Sequence, residues 1–202
     1  MASLRGQDLL VATSNSGKRD EFSTLLKPFG VKLFSLADFD VQGPEETEYS
    51  FKGNALVKAR AAAAVTGLTA LADDSGLAVV DLGGAPGIYT ADWAETGHGR
   101  DFTRAMQKTW GLLLAVRSAA PRRAEFRCAL AVVWPGGQEA VFEGRVAGQI
   151  VWPMRGQLGH GYDPIFVPDG HSRTLGEMSL DDKNRISHRA EAFKALIKGC
   201  FT

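Results

Sequence analysis

The chain has 202 residues, 45% hydrophobic and 23% charged, and its 23 Lys plus Arg are balanced by 23 Asp plus Glu. That is the make-up of a globular protein with one well-filled core or two small lobes. It excludes a polybasic nucleic-acid binder, and no apolar run reaches the roughly 18 residues that a membrane span needs. Cys128 and Cys200 match no zinc or redox spacing and are expected to be reduced thiols. With no secretory pattern at the N-terminus, the expected location is cytoplasmic.

In chain order, Leu9, Leu10 and Val11 predict a buried strand over Asp8 to Thr13. The spacing of Phe22, Leu25, Leu26 and Phe29 predicts a helix, which Gly30 ends. Val31 to Leu36 reads as a second strand. An acidic loop then leads into an alanine-rich helix from about Ser50 to Val65, stopped at Gly67. Leu68 to Ala72 predicts a short strand that runs into Asp73 and Asp74, and Leu77 to Leu82 a possible continuation. Phe102, Met106, Trp110, Leu113 and Leu114 mark a helix ending near Arg117. Alternation through Phe126, Cys128, Leu130, Val132 and Trp134, and again through Ala140, Phe142, Gly144 and Val146, predicts a long antiparallel hairpin turned at Pro135, Gly136 and Gly137. A glycine-rich loop, Gly156 to Tyr162, precedes a short strand at Ile165, Phe166 and Val167. Ile186, Ala190, Phe193, Leu196 and Ile197 form the stripe of one closing helix. The fold class is α/β on a mixed sheet.

Four places hold candidate chemistry. Ser14, Asn15, Ser16, Gly17 and Lys18 follow a strand and open a helix, where free backbone N–H groups face an anion. The segment is not a Walker A loop, because Ala12 and Arg19 stand where that motif needs Gly and Ser or Thr. Glu45, Glu46 and Glu48 lie in a loop, and Asp73 and Asp74 follow a buried run. Adjacent acids there are costly unless solvated, hydrogen-bonded or held on a cation, and carboxylates with water suit Mg²⁺; the alternative is an Asx turn. Gly159, His160, Gly161, Tyr162 and Asp163 offer two rings on which a planar base could stack, or else a plain tight turn. Lys183, Asn184, Arg185, Ile186, Ser187, His188 and Arg189 begin the last helix, either as directional donors or as a solvated basic face. Zinc clusters, a GxSxG elbow and a GxGxxG loop are all missing from the sequence.

Taken together, six segments carry a resemblance over nearly the whole chain, from Leu9 to about Lys198. They are Thr13 to Lys18; Glu45, Glu46 and Thr47 with Ser50, Phe51, Asn54, Ala55, Lys58 and Ala59; Ala72 to Leu77; Gly83 to Tyr89; Gly161 to Phe166; and Ile186 to Arg189. In this order and spacing the chain resembles the inosine triphosphate pyrophosphatase family, the XTP/dITP diphosphatases that clear non-canonical purine nucleotides. The resemblance implies a single domain over 1–202 with an elongated mixed sheet, flanking helices, two lobes and a central cleft. It also implies a homodimer acting on a small-molecule nucleotide, with no nucleic-acid or membrane partner. By resemblance, Thr13, Ser14, Asn15, Ser16, Gly17 and Lys18 hold the triphosphate, with Lys58 nearby. Asp74 is the general base and holds Mg²⁺ with Glu45 or Glu46. Ser75, His160, Gly161, Tyr162, Asp163, Lys183, His188 and Arg189 surround the nucleoside. The chain departs from the family pattern at Glu48 (usually Gly), Gly53 (often Glu) and His160 (commonly Phe). The implied reaction is Mg²⁺-dependent hydrolysis of ITP, dITP or XTP to the monophosphate and pyrophosphate. A pyrophosphatase for modified pyrimidine nucleotides and a non-catalytic nucleotide sensor are the rival readings.

Overall fold

The structure, a computed structural model, describes residues 3–13 and 15–201. Its elements in order are β1 (Asp8–Val11), α1 (Ser16–Leu26), β2 (Lys32–Ser35), α2 (Phe51–Thr66), β3 (Thr69–Val79), β4 (Glu95–Thr96), β5 (Gly99–Arg100), α3 (Phe102–Ala115), β6 (Arg122–Val133), β7 (Glu139–Ile150), β8 (Phe166–Pro168), α4 (Leu180–Ile186) and α5 (His188–Cys200). Six strands form one sheet in the order β2-β1-β3-β6-β7-β8, and β4 pairs with β5. β1 runs parallel to β2 and β3, whereas β7 and β8 are antiparallel, so the sheet is mixed as expected. No helix among the described residues is long and apolar enough to cross a membrane. Neither Cys128 nor Cys200 is in a disulfide, and both are buried.

The chain divides into two compact units. The first is Met1–Asp74, Cys128–Glu143 and Ala192–Thr202; the second is Ser75–Arg127 and Gly144–Glu191. In the first, strand alternation sorts the core into two faces. Leu9, Val11, Leu71, Cys128, Leu130 and Val132 pack with Phe22 and Leu26 of α1 and Phe193 and Leu196 of α5. The opposite set is rich in alanine: Ala12, Ala70, Ala72, Ala129 and Ala131, with Leu10 and Val133, pack with Ala55, Ala59, Ala62 and Ala63 of α2.

The second unit has its own core, built on Leu77, Val79, Met106, Leu113, Phe126, Ile150, Tyr162, Ile165, Phe166 and Leu175. Phe126 and Phe166 meet edge to face at 4.8 Å. Gly148 is required where β7 passes β8, because a Cβ there would lie 2.3 Å from the Val167 carbonyl oxygen.

Three expectations change. Asp73 and Asp74 do not end a strand; β3 continues through them to Val79. The first helix stops at Leu26, and Lys27–Phe29 form a 3-10 turn before Gly30 (φ 68°). The closing helix is two helices. Ser187 (ψ 157°) ends α4, and its hydroxyl accepts the Ala190 N–H at 3.1 Å, capping α5.

Candidate active site

β3 is buried along almost its whole length, and its alternation sends neighbouring carboxylates to opposite faces. Asp73 shares the parity of Leu71 and points to the α1 side, where Lys18 Nζ meets its Oδ2 at 2.9 Å. Asp74 shares the parity of Ala70 and Ala72 and points to α2, where Asn54 Nδ2 donates to its Oδ2 at 3.2 Å. Lys58 Nζ lies 3.4 Å from Asp74 Oδ1 and 2.7 Å from Glu46 Oε1. Asn54 and Lys58 are one helical turn apart, which places both on the alanine face.

Electrostatics set Asp74 apart. Burial pushes its carboxyl up to about 6, and nearby Glu46 adds to the rise. Lys58, Lys18 and the Asn54 amide pull the other way without cancelling it. At Lys58, burial opposes the charge, but Asp74, Asp73 and Glu46 outweigh it and hold the ammonium above its ordinary value. This is a carboxylate poised near neutrality beside a fixed cation, the arrangement a general base needs.

The phosphate-loop candidates are distributed over the β1–α1 turn. Asn15 caps α1, its Oδ1 accepting the Lys18 N–H at 3.1 Å, and Thr13 Oγ1 accepts the Asn15 N–H at 3.2 Å. Gly17 lies in the first turn of α1. Ser14 lies outside the described residues. Ser16 is the first residue of the helix.

The second unit holds another cluster. Asp163 is 2% exposed, and its Oδ2 accepts the His160 N–H at 2.7 Å and faces Lys183 Nζ at 2.5 Å. The Gly159 backbone (φ 80°) leans so close that a Cβ would lie 2.1 Å from that same oxygen. Gly161 is itself left-handed (φ 66°), a conformation that glycine adopts freely. His188 stacks on Phe126 at 5.0 Å, and Arg189 donates to Ser75 Oγ at 3.1 Å. Lys183, His188 and Arg189 are buried, so these three are not a solvated face, while Arg185 is exposed. Tyr162 departs from the stacking expectation: its ring is core, its hydroxyl donates to the Thr90 carbonyl at 3.2 Å, and burial raises its pKa. His160, by contrast, is exposed.

The Ham1 family profile matches residues 9–199. The chain belongs to the Ham1 family. A relative from Ruegeria pomeroyi, named dITP/XTP pyrophosphatase, is 54% identical over 97% of this chain and 96% of its own length. One from Bartonella quintana with the same name is 45% identical over 100% of this chain and 99% of its own. Among solved structures, a HAM1 protein from Coxiella burnetii superposes with a TM-score of 0.88 at 36% identity, covering 96% of this chain and 98% of that one. A protein from Mycobacterium abscessus, described as nucleoside-triphosphatase / dITP/XTP pyrophosphatase, gives 0.78 at 42% identity over 94% and 98%.

Against this Ham1 background, the residue whose role the sequence motifs leave unstated is Asn54. It is 2% exposed and bonded at both ends, to the Glu48 N–H and to Asp74. A polar residue on the alanine face of α2 is the signal that points to it. Glu45 and Glu46 are both exposed, and Glu46 reaches the Lys58 ammonium.

Proposed function

We propose that this chain hydrolyses non-canonical purine nucleoside triphosphates, ITP, dITP and XTP, to the monophosphate and pyrophosphate, and so cleans the nucleotide pool. The observation that carries the reading is Asp74: a buried carboxyl raised to about 6, in line with Lys58, Glu46 and Asn54. Kinship with dITP/XTP pyrophosphatases supplies the substrate class.

Asp74 orients a water and takes its proton as the oxygen attacks phosphorus, and the pyrophosphate leaves. Lys18, Lys58 and the amides of the Thr13–Lys18 turn offset charge on the phosphate oxygens. The residues fit Mg²⁺. Asp74 and Glu46 are oxygen donors close enough that one ammonium touches both. No group of three His, Cys, Asp or Glu suited to a metal occurs among the described residues. Mg²⁺ takes one or two carboxylates and fills its remaining positions with water and phosphate oxygens. Bound there, it would supply charge neutralisation on the triphosphate. Asp74 and Glu46 are the residues that would hold it.

Ser75, Lys183, His188 and Arg189, with the His160–Asp163 loop, recognise the nucleoside. Their side chains are donor-rich, which suits the 6-oxo group of hypoxanthine and xanthine and mismatches the 6-amino group of adenine. The enzyme works as a cytoplasmic homodimer. The test is kcat/KM for ITP, dITP, XTP, GTP, ATP and dCTP at one Mg²⁺ concentration, with products identified. ITP, dITP and XTP should lead, with pyrophosphate released and ATP far behind. Equal turnover of dCTP or ATP would overturn the 6-oxo reading, and binding without turnover would indicate a sensor.

A further inference from the structure

We infer that Glu48, seated on the bare backbone of Gly53, is a latch that positions the acidic loop 45–48 against Asp74, with Asn54 as its catch. The inference rests on the proposed roles of Asp74 and Glu46.

The latch has two contacts. The Glu48 N–H donates to Asn54 Oδ1 at 2.9 Å, while Asn54 Nδ2 donates to Asp74 Oδ2 at 3.2 Å. One amide therefore ties the loop to the base. The second contact is steric. A Cβ at residue 53 would lie 2.6 Å from Glu48 Cβ and 2.9 Å from its Cγ. Gly53 sits within α2 and has no positive φ, so the backbone does not demand glycine there; the space taken by Glu48 does. A Cβ is fixed to the main chain and cannot swing aside, so a methyl at 53 must move residue 48 as a whole. That movement draws its N–H away from Asn54. It also shifts Glu46, two residues earlier, off Lys58. Gly53, Glu48 and Asn54 are thus positioning residues that act on the site through Asp74 and Glu46.

The experiment compares Gly53→Ala, Glu48→Gly and the double variant with wild type. Hydrogen exchange at the Glu48 amide in metal-free protein and the Mg²⁺ concentration for half-maximal turnover are the two readouts. Alanine is the better helix former, so Gly53→Ala should melt no lower than wild type. It should nonetheless lose Glu48 amide protection and raise the Mg²⁺ requirement by about tenfold or more, the scale of a lost supporting contact at a metal site. Glu48→Gly alone keeps the main-chain bond and should cost less. The double variant removes the clash and should recover most of both readouts, a rescue that general destabilisation does not produce. Asn54→Ala, which leaves the seat untouched, should show the same losses and no rescue by Glu48→Gly. Wild-type protection and Mg²⁺ requirement in Gly53→Ala, or a double variant no better than Gly53→Ala, would overturn the latch. Undiminished turnover in Asp74→Asn would instead overturn the role of the base, while the exchange result would still judge the latch.

Discussion

Two buried aspartate–lysine pairs, one in each unit, are put to different use. Asp163 in the second unit has one oxygen taken by a main-chain N–H at 2.7 Å and by Lys183 at 2.5 Å. Asp74 in the first has a lysine at 3.4 Å that is shared with Glu46, and one side-chain amide. The first carboxylate is held by donors close on the same atom, and it fixes the shape of a glycine loop. The second is left under-compensated, so burial wins and its proton affinity rises to about 6. A tightly paired acid builds structure; a loosely paired one is available for proton transfer.

Asp74→Asn tests the contrast most strongly. Turnover should fall by about 10² or more, because the amide cannot accept the proton, and a nucleotide assay checks it. Its stability should move the opposite way. In the folded state Asp74 holds its proton up to about pH 6, against 3.8 for the ordinary carboxyl. Between those values the native state binds more protons than the unfolded chain, so stability falls as pH rises through the window and stays reduced above it. Asp74→Asn should therefore melt higher than wild type at pH 8, by about 1–3 kcal/mol of stability, and show little gain near pH 4. Calorimetry at the two pH values reads the sign.

Lys183→Met attacks the other pair. It leaves Asp163 buried without its cation, and breaking such a pair costs about 3 kcal/mol or more. Denaturant unfolding should show a large loss, unlike the gain expected at Asp74. The pH–rate profile is a milder test: at limiting Mg²⁺, kcat/KM should decline below about pH 6 as Asp74 protonates, and saturating metal should shift that decline to lower pH. Smallest is Lys18→Ala. Its ammonium is paired with buried Asp73 at 2.9 Å, so the change should lower the melting temperature slightly as well as reduce triphosphate turnover by about tenfold. A loss of turnover with no change in melting would show that the Asp73 contact contributes nothing to the fold.

Much of the fold is legible in the sequence. Alternation exposes the β6–β7 hairpin, and aliphatic spacing exposes α1, α2 and α3, because burial of one face imposes a period on the residue pattern. The strand through Asp73 and Asp74 is not legible as one piece. Aspartate is a poor strand residue on average, and β1 pairs with β3 only as far as Leu71, so the extended course through both acids depends on the place of β3 beside β6 in the sheet. The break at Ser187 is hidden for a related reason: the apolar stripe continues across it, while the cap that divides the helices is one hydroxyl. In the candidate site, residue types point to Asp74 and Lys18, and the family resemblance adds Lys58, but neither shows the sorting of two adjacent acids to two lysines on different helices. Tyr162 reads as a stacking surface in sequence and is core in the fold, because an aromatic residue in a glycine loop looks the same in sequence whether it faces solvent or interior.

Much of the contact beneath α2 is alanine on alanine. Methyl groups have no χ rotamers to redistribute, so the gap between helix and strand has little give where they meet, and Asn54 and Lys58 inherit that rigidity along the same helix. Enlarging Ala59 or Ala62 by even two carbons would lift the helix as a body. The chain would still bury apolar surface there, and yet the amine and amide would stand off from Asp74. Tolerance to mutation on this face is thereby narrowed by chemistry several residues away, and an apparently conservative core substitution would be recorded as a lesion of activity.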